Sequence, residues 1–178
     1  MKNSLRHQIK NQLRTVTSSQ KLQAEARWLD AFISHCGHLE SFGFYYPMSY
    51  EPNVLPLIQY CWSKSKKVYL PVLSSQGLVW KSYQADTALV RSSLGFLEPL
   101  GEVHSLTTMT AVIVPFLGVN QQGFRLGQGK GYFDKTMSAY KGQMLGFGYD
   151  FQRVSFEEDD WDMAFTHCFL VPVNSKTS

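Results

Sequence analysis

The 178-residue chain, 44% hydrophobic and 17% charged, has enough apolar side chain for its own core and predicts one domain over residues 1–178, without metal or disulfide staples. Its formal charge of +3 is too small for the dense basic surface that nucleic acid demands, and no apolar run is long enough for a signal peptide or membrane span. Cys36, Cys61 and Cys168 are widely spaced, odd in number and without a CxxC pair, which fits free thiols in a reducing compartment and a cytoplasmic protein.

Leu5, Ile9, Leu13 and Val16 recur at helical spacing and predict an amphipathic helix over residues 4–16. Beside them Lys2, Arg6, Lys10 and Arg14 step along by four residues. A solvated face is the ordinary meaning of such a row, yet four cations with no interleaved acid repel one another and return no stability. Thr17 and Gln20 have capping-box spacing, predicting a second helix over 18–35 that Gly37 ends. Its expected core face is Leu22, Ala26, Leu29 and Ile33. "FGFYYP" (42–47) reads as a buried strand and residues 51–65 as a helix with Pro52 near its first turn. Strands follow at 66–73 and 77–83. "AVIVPFL" (111–117) is the most continuous apolar run and predicts a central parallel strand covered on both faces. A glycine-rich loop comes next, then a helix over 131–140 and strands at 143–150 and 164–171. The alternation predicts an α/β fold: a mostly parallel open sheet with helices on both faces, a Rossmann-like three-layer architecture.

The loop "FRLGQGKGYFD" (124–134) sits between a predicted central strand and a predicted helix, where open α/β sheets bind ligands. Gly127, Gly129 and Gly131 permit close approach of backbone, Arg125 and Lys130 add cations, and a helix N-terminus favours phosphate. It is not a Walker A loop, because Gly131 follows Lys130 where Ser or Thr is required. Nor is it the dinucleotide fingerprint, which has glycine where Tyr132 stands. The weaker alternative is a glycine-rich hairpin with incidental charges.

"VPFLGVNQQGFRLGQGKGYFDK" (114–135) closely resembles the signature of the 5-formyltetrahydrofolate cyclo-ligase (methenyltetrahydrofolate synthetase) family. "KNSLRHQIKNQLRTVT", "YYPMSYEPNVLPLI", "VYLPVL", "LGFLEP" and "GFGYDFQRV" resemble further family landmarks in the right order, so the likeness spans nearly the whole chain. The resemblance implies ATP- and Mg²⁺-dependent conversion of 5-formyltetrahydrofolate, with or without a polyglutamate tail, to 5,10-methenyltetrahydrofolate. ADP and phosphate are released through a phosphorylated N5-formyl intermediate. It implies no obligate protein partner.

Carried across by position, the resemblance puts Lys2 and Arg6 on ATP phosphates. The nucleotide loop becomes Arg125, Leu126, Gly127, Gln128, Gly129, Lys130, Gly131, Tyr132 and Phe133, with Arg125, Lys130 and Tyr132 catalytic. Tyr46, Glu51, Gln128 and Tyr132 become folate contacts, and Asp134 a magnesium ligand. Glu158 stands where the family has a second metal-associated aspartate, with Asp159 and Asp160 close by. From the residues alone, Glu51 serves equally as a helix-start residue, and Asp134 as favourable charge in a first helical turn. Phe44, Tyr45 and Trp80 read as core, and the five histidines show no metal-ligand spacing. Two other functions compete: a folate- or nucleotide-binding protein without turnover, and a different α/β kinase or ligase acting on another anion.

Overall fold

The computed structural model describes residues 1–173. Helix α1 (Lys2–Thr15) is followed by α2 (Ser18–Cys36), whose start is fixed by the expected box: Thr17 and Gln20 each accept the other's backbone N–H. Strand β1 (Ser41–Gly43) leads through a long loop to α3 (Leu55–Ser63), then β2 (Lys67–Ser74) turns directly back into β3 (Gly77–Ser82). A hairpin of β4 (Leu89–Arg91) and β5 (Leu97–Pro99) comes before β6 (Val103–His104) and β7 (Ala111–Ile113). A second hairpin, β8 (Gly118–Val119) with β9 (Arg125–Leu126), precedes α4 (Tyr132–Met137), β10 (Gln143–Tyr149) and β11 (His167–Val171).

Seven strands form one sheet in the order β11-β10-β7-β1-β2-β3-β6. The pairs from β11 to β2 are parallel, with Phe42 opposite both Val68 and Ala111 and Leu145 opposite both Ile113 and His167. β3 and β6 extend the sheet antiparallel. The predicted mostly parallel α/β sheet is present, and β7, the middle one of its five parallel strands, has all three residues buried.

Helices cover both faces, unequally. On one face Ile9 and Leu13 of α1, Trp28 and Phe32 of α2, and Leu57 and Ile58 of α3 pack on Phe42, Leu70, Ile113, Leu145 and Phe147. On the other, Val112, Val114 and Met144 meet Met137 of α4 together with Trp80, Met109 and Phe165.

Several local expectations are corrected. α2 buries Ala24, Trp28, Phe32 and Cys36, whereas Leu22 is 67% and Ile33 39% exposed. Phe32 lies 5.0 Å from Phe42, and Trp28 Nε1 donates to the Gly148 carbonyl at 3.0 Å, so the large aromatics choose the inward face. α3 begins at Leu55 with Pro56, not Pro52, in its first turn, after Asn53 Oδ1 accepts the Leu55 N–H. β1 is three residues long. Backbone pairing past β7 continues to the Val114 N–H and stops at Pro115, which has no N–H to donate. α4 has six residues because the chain turns at Tyr140, whose hydroxyl donates to the Met109 carbonyl. Cys36, Cys61 and Cys168 are free thiols, and no helix among the described residues is long and apolar enough to cross a membrane.

Candidate active site

Tyr45 and Tyr46 follow β1 and Pro115 follows β7, so the carboxyl ends of two central parallel strands lead into the same region. Two adjoining hollows open there. The larger, of about 350 Å³, is walled by Arg6 and Lys10 of α1, the loop from Gly127 to Gly131, and the turn from Asp159 to Asp162. The smaller, of about 80 Å³, is lined by Tyr45, Tyr46, Pro71, Leu73 and Leu78. Glu51, Phe96, Pro115, Tyr132 and Phe133 belong to both.

The hairpin β8–β9 aims the glycine loop. Asn120 Oδ1 accepts the N–H groups of Gln122 and Phe124 at 3.1 and 2.9 Å, closing the turn so that β9 delivers Arg125 beneath the hollow. Arg125 is 5% exposed; its Nε donates to the Pro115 carbonyl at 2.7 Å and its Nη1 to Asp134 Oδ2 at 3.0 Å. Its guanidinium lies 5.5 Å from the Phe133 ring centre. Burial pulls the Arg125 pKa down while the Asp134 carboxylate pushes it back up. Next come Gly129 at φ +99° and Gly131 at φ +72°, both in the left-handed region that side chains avoid. Lys130 between them is exposed and makes no hydrogen bond or ion pair among the described residues.

The basic row of α1 turns toward this loop. Arg6 Nε donates to the Gly127 carbonyl at 2.8 Å and its Nη1 to Asn3 Oδ1 at 2.7 Å. Lys10 and Arg14 lie 5.9 and 5.6 Å from the Tyr50 ring centre, and Gln128 reaches the Tyr50 side chain. Lys2 is engaged elsewhere: its ammonium pairs with Asp159 at 2.5 Å and Asp162 at 2.9 Å.

Glu51 occupies a turn before α3, with its N–H on the Met48 carbonyl, and faces both hollows. Burial raises its carboxyl to about 7, against the pull of the Met48 backbone and the charges of Arg125 and Lys10. Tyr46 stands beside it in the smaller hollow. Asp134 is 8% exposed, and its Oδ1 is buried with no hydrogen-bond partner. Glu158 lies apart from the hollow's walls and accepts from Asn120 Nδ2 at 3.1 Å, while Asp159 and Asp162 line the hollow.

The structure thus brings together Arg6, Arg125 through Asp134, Tyr46 and Glu51, and leaves Glu158 outside. It adds Lys10, Tyr50, Phe96, Asp159, Trp161 and Asp162 to the walls. Lys10 was visible as a member of the cation row; Tyr50 and Phe96 carried no signal that separates a site aromatic from a core one. No cluster of three or more His, Cys, Asp or Glu forms a ready metal site among the described residues. Mg²⁺ commonly takes one or two carboxylates and completes its shell with water and phosphate, so the unpartnered Asp134 oxygen fits an ion that arrives with a phosphate ligand.

The chain is similar to several known proteins. A 5-formyltetrahydrofolate cyclo-ligase of Escherichia coli (strain K12) is 33% identical over 123 residues, which is 64% of this chain and 68% of that protein. The corresponding Haemophilus influenzae protein is 27% identical over 183 residues, covering 92% of this chain and 96% of its own. In fold, the chain matches the Aquifex aeolicus 5,10-methenyltetrahydrofolate synthetase at a TM-score of 0.83 and 22% identity, over 98% of this chain and 90% of that one. A 5,10-methenyltetrahydrofolate synthetase from Mycoplasma pneumoniae matches at 0.76 and 20% identity, over 94% and 97%. The family model describing the 5-formyltetrahydrofolate cyclo-ligase family covers residues 1–164, and the chain belongs to that enzyme family.

Proposed function

We propose that this enzyme converts 5-formyltetrahydrofolate to 5,10-methenyltetrahydrofolate at the expense of ATP. The observation that carries the reading is the junction of the two hollows. A cationic, glycine-floored space fit for a triphosphate shares Glu51, Tyr132 and Phe133 with an aromatic slot fit for a pterin.

In this reading the pterin enters the smaller hollow, where Tyr46 covers it and Glu51 accepts from its ring and amino N–H groups. The ATP phosphates lie along the loop from Arg125 to Phe133, met by Arg6 and by Lys2 once it is drawn from its aspartates. Gln128 and Tyr132 stand where the two ligands meet. The formyl oxygen attacks the γ-phosphorus, forming an O–P bond as the bond to the ADP oxygen breaks, and leaves an N5-iminium phosphate. N10 then attacks the formyl carbon and loses its proton to solvent. The C–O bond breaks, phosphate departs, and the amidinium ring of the product remains.

Such a transfer asks for positioning and charge neutralisation rather than a covalent nucleophile. Buried Arg125 offers a fixed positive charge beneath the loop, Lys130 a movable one above it, and Tyr132 closes the space between the ligands. Mg²⁺, when bound, supplies further neutralisation of phosphate oxygens. Asp134 is the residue to hold it, with Asp159 better placed to assist than Glu158. A reducing cytoplasm suits the three free thiols. The test is the ultraviolet absorbance of the methenyl product on mixing enzyme, Mg·ATP and 5-formyltetrahydrofolate. Binding of both ligands with no absorbance rise would leave a binding protein and overturn the catalytic reading.

A further inference from the structure

Trp161 is 69% exposed, whereas Trp28 and Trp80 are at most 2% exposed, and it forms part of the wall of the larger hollow. The turn that carries it is closed on itself. Asp162 Oδ2 accepts the Asp159 N–H at 2.8 Å, and the Asp162 N–H donates back to the Asp159 carbonyl at 3.0 Å. Lys2 pairs with both carboxylates from the start of α1, and the turn's own two hydrogen bonds do not depend on Lys2 when it moves to phosphate. An indole is therefore held at the rim of a cationic hollow with its turn already ordered, so a ligand that covers it gains burial at little further entropic cost.

α1 shows which part of a ligand would reach it. Lys2 marks the Trp161 end of the hollow, and Lys10, whose charge acts on Glu51, marks the other. Eight helical residues separate them, about 12 Å at 1.5 Å per residue. Arg6 holds the glycine loop between the two. A triphosphate whose reactive end meets the pterin beside Glu51 and Tyr132 therefore runs its other end back toward Lys2.

We infer that Trp161 is the platform on which the nucleobase of the nucleotide stacks; this rests on the nucleotide reading given above. An indole face accepts any flat base, so this end of the site contributes affinity for a nucleoside triphosphate over a bare polyphosphate and little choice among bases.

The test is calorimetric affinity for Mg·ATP, Mg·tripolyphosphate and 5-formyltetrahydrofolate, in the parent, W161A and W161F. Loss of the ring weakens ATP by about tenfold in W161A, with W161F close to the parent. Tripolyphosphate and folate affinities stay unchanged in both. An unchanged ATP affinity in W161A, equal weakening of ATP and tripolyphosphate, or a loss confined to folate overturns the platform. A parent enzyme that binds neither phosphate ligand overturns the cyclo-ligase reading itself, and the platform with it. Normal parent turnover beside an ATP-indifferent W161A overturns the platform alone.

Discussion

Arg6 Nε donates to the carbonyl of Gly127 at 2.8 Å across a sequence separation of 121 residues. The same guanidinium carbon lies 3.4 Å from the point where a Cβ on Gly129 would stand. Helix and loop are thus fitted to each other through the absence of side chains. At Gly127 a Cβ would come within 2.7 Å of the Arg125 guanidinium, so that glycine is demanded by the buried cation beneath the loop.

Gly129→Ala should lose most ATP-dependent turnover. At φ +99° an alanine is strained by about 1–2 kcal/mol, and because its methyl would already stand in van der Waals contact with the Arg6 guanidinium, relief of that strain moves the loop against Arg6. Displacement of about 1 Å costs on the order of a hundredfold in rate where catalysis rests on positioning. Gly77→Ala is the control: its φ is +105°, but the nearest neighbour of the new methyl is Thr136 Oγ1 at 3.9 Å. Both variants should melt slightly early, and only Gly129→Ala should lose turnover and its thermal shift with Mg·ATP. Equal activities would remove the loop from the phosphate site.

Arg6→Lys separates charge from geometry. Lysine keeps the positive charge and helix propensity but cannot place Nε on Gly127 and Nη1 on Asn3 together. The expected result is several-fold weaker ATP binding, unchanged folate binding and little change in melting temperature. ATP affinity equal to the parent's would return Arg6 to a solvated role.

The sequence revealed the sheet and the glycine loop better than it revealed helix faces. The long apolar run at β7 and the capping box at Thr17 are local signals: α2 starts where expected, while of the strand expected over 111–117 only Ala111–Ile113 pairs as β7. α2 carries two apolar rows at helical spacing. Only the sheet, by offering Phe42 and Phe147 to Phe32, decides that Trp28 and Phe32 face inward and Leu22 outward. The short hairpins β4–β5 and β8–β9 have too few residues for a periodic signal, yet they position Phe96 and Arg125. The charge row on α1 was legible, but its occupation of the hollow depends on contacts from Lys2 to residues near 160 and from Arg6 to Gly127.

Asp134→Asn should damage both fold and metal response. The carboxylate faces buried Arg125, and a neutral amide leaves that cation uncompensated, a cost approaching about 3 kcal/mol. The same change turns the unpartnered Oδ1 site into a weaker ligand for a hard cation. Denaturant midpoints should fall, and the Mg²⁺ concentration for half-maximal turnover should rise at a temperature where the variant is fully folded. A lowered midpoint with an unchanged Mg²⁺ requirement would confine Asp134 to holding Arg125.

Glu51 makes stability and folate binding depend on pH in opposite directions. Burial raises its carboxyl from 4.5 to about 7 in the folded chain. Between those values the folded state keeps a proton that the unfolded state has released. The contribution of this group is therefore full below pH 4.5 and lost as pH rises through about 7. Glu51→Gln removes that slope and should be the more stable protein above pH 7, by at most about 3 kcal/mol. Folate acts the other way, because pterin N–H donors need the ionised carboxylate. Parent affinity for 5-formyltetrahydrofolate should strengthen as pH rises through about 7, with proton release on binding, while Glu51→Gln binds weakly at every pH. Urea titrations and two-buffer calorimetry at about pH 6 and pH 8 read both effects. A parent whose folate affinity ignores pH, beside a variant that still flattens the stability slope, would make Glu51 a buried acid with no part in holding the pterin.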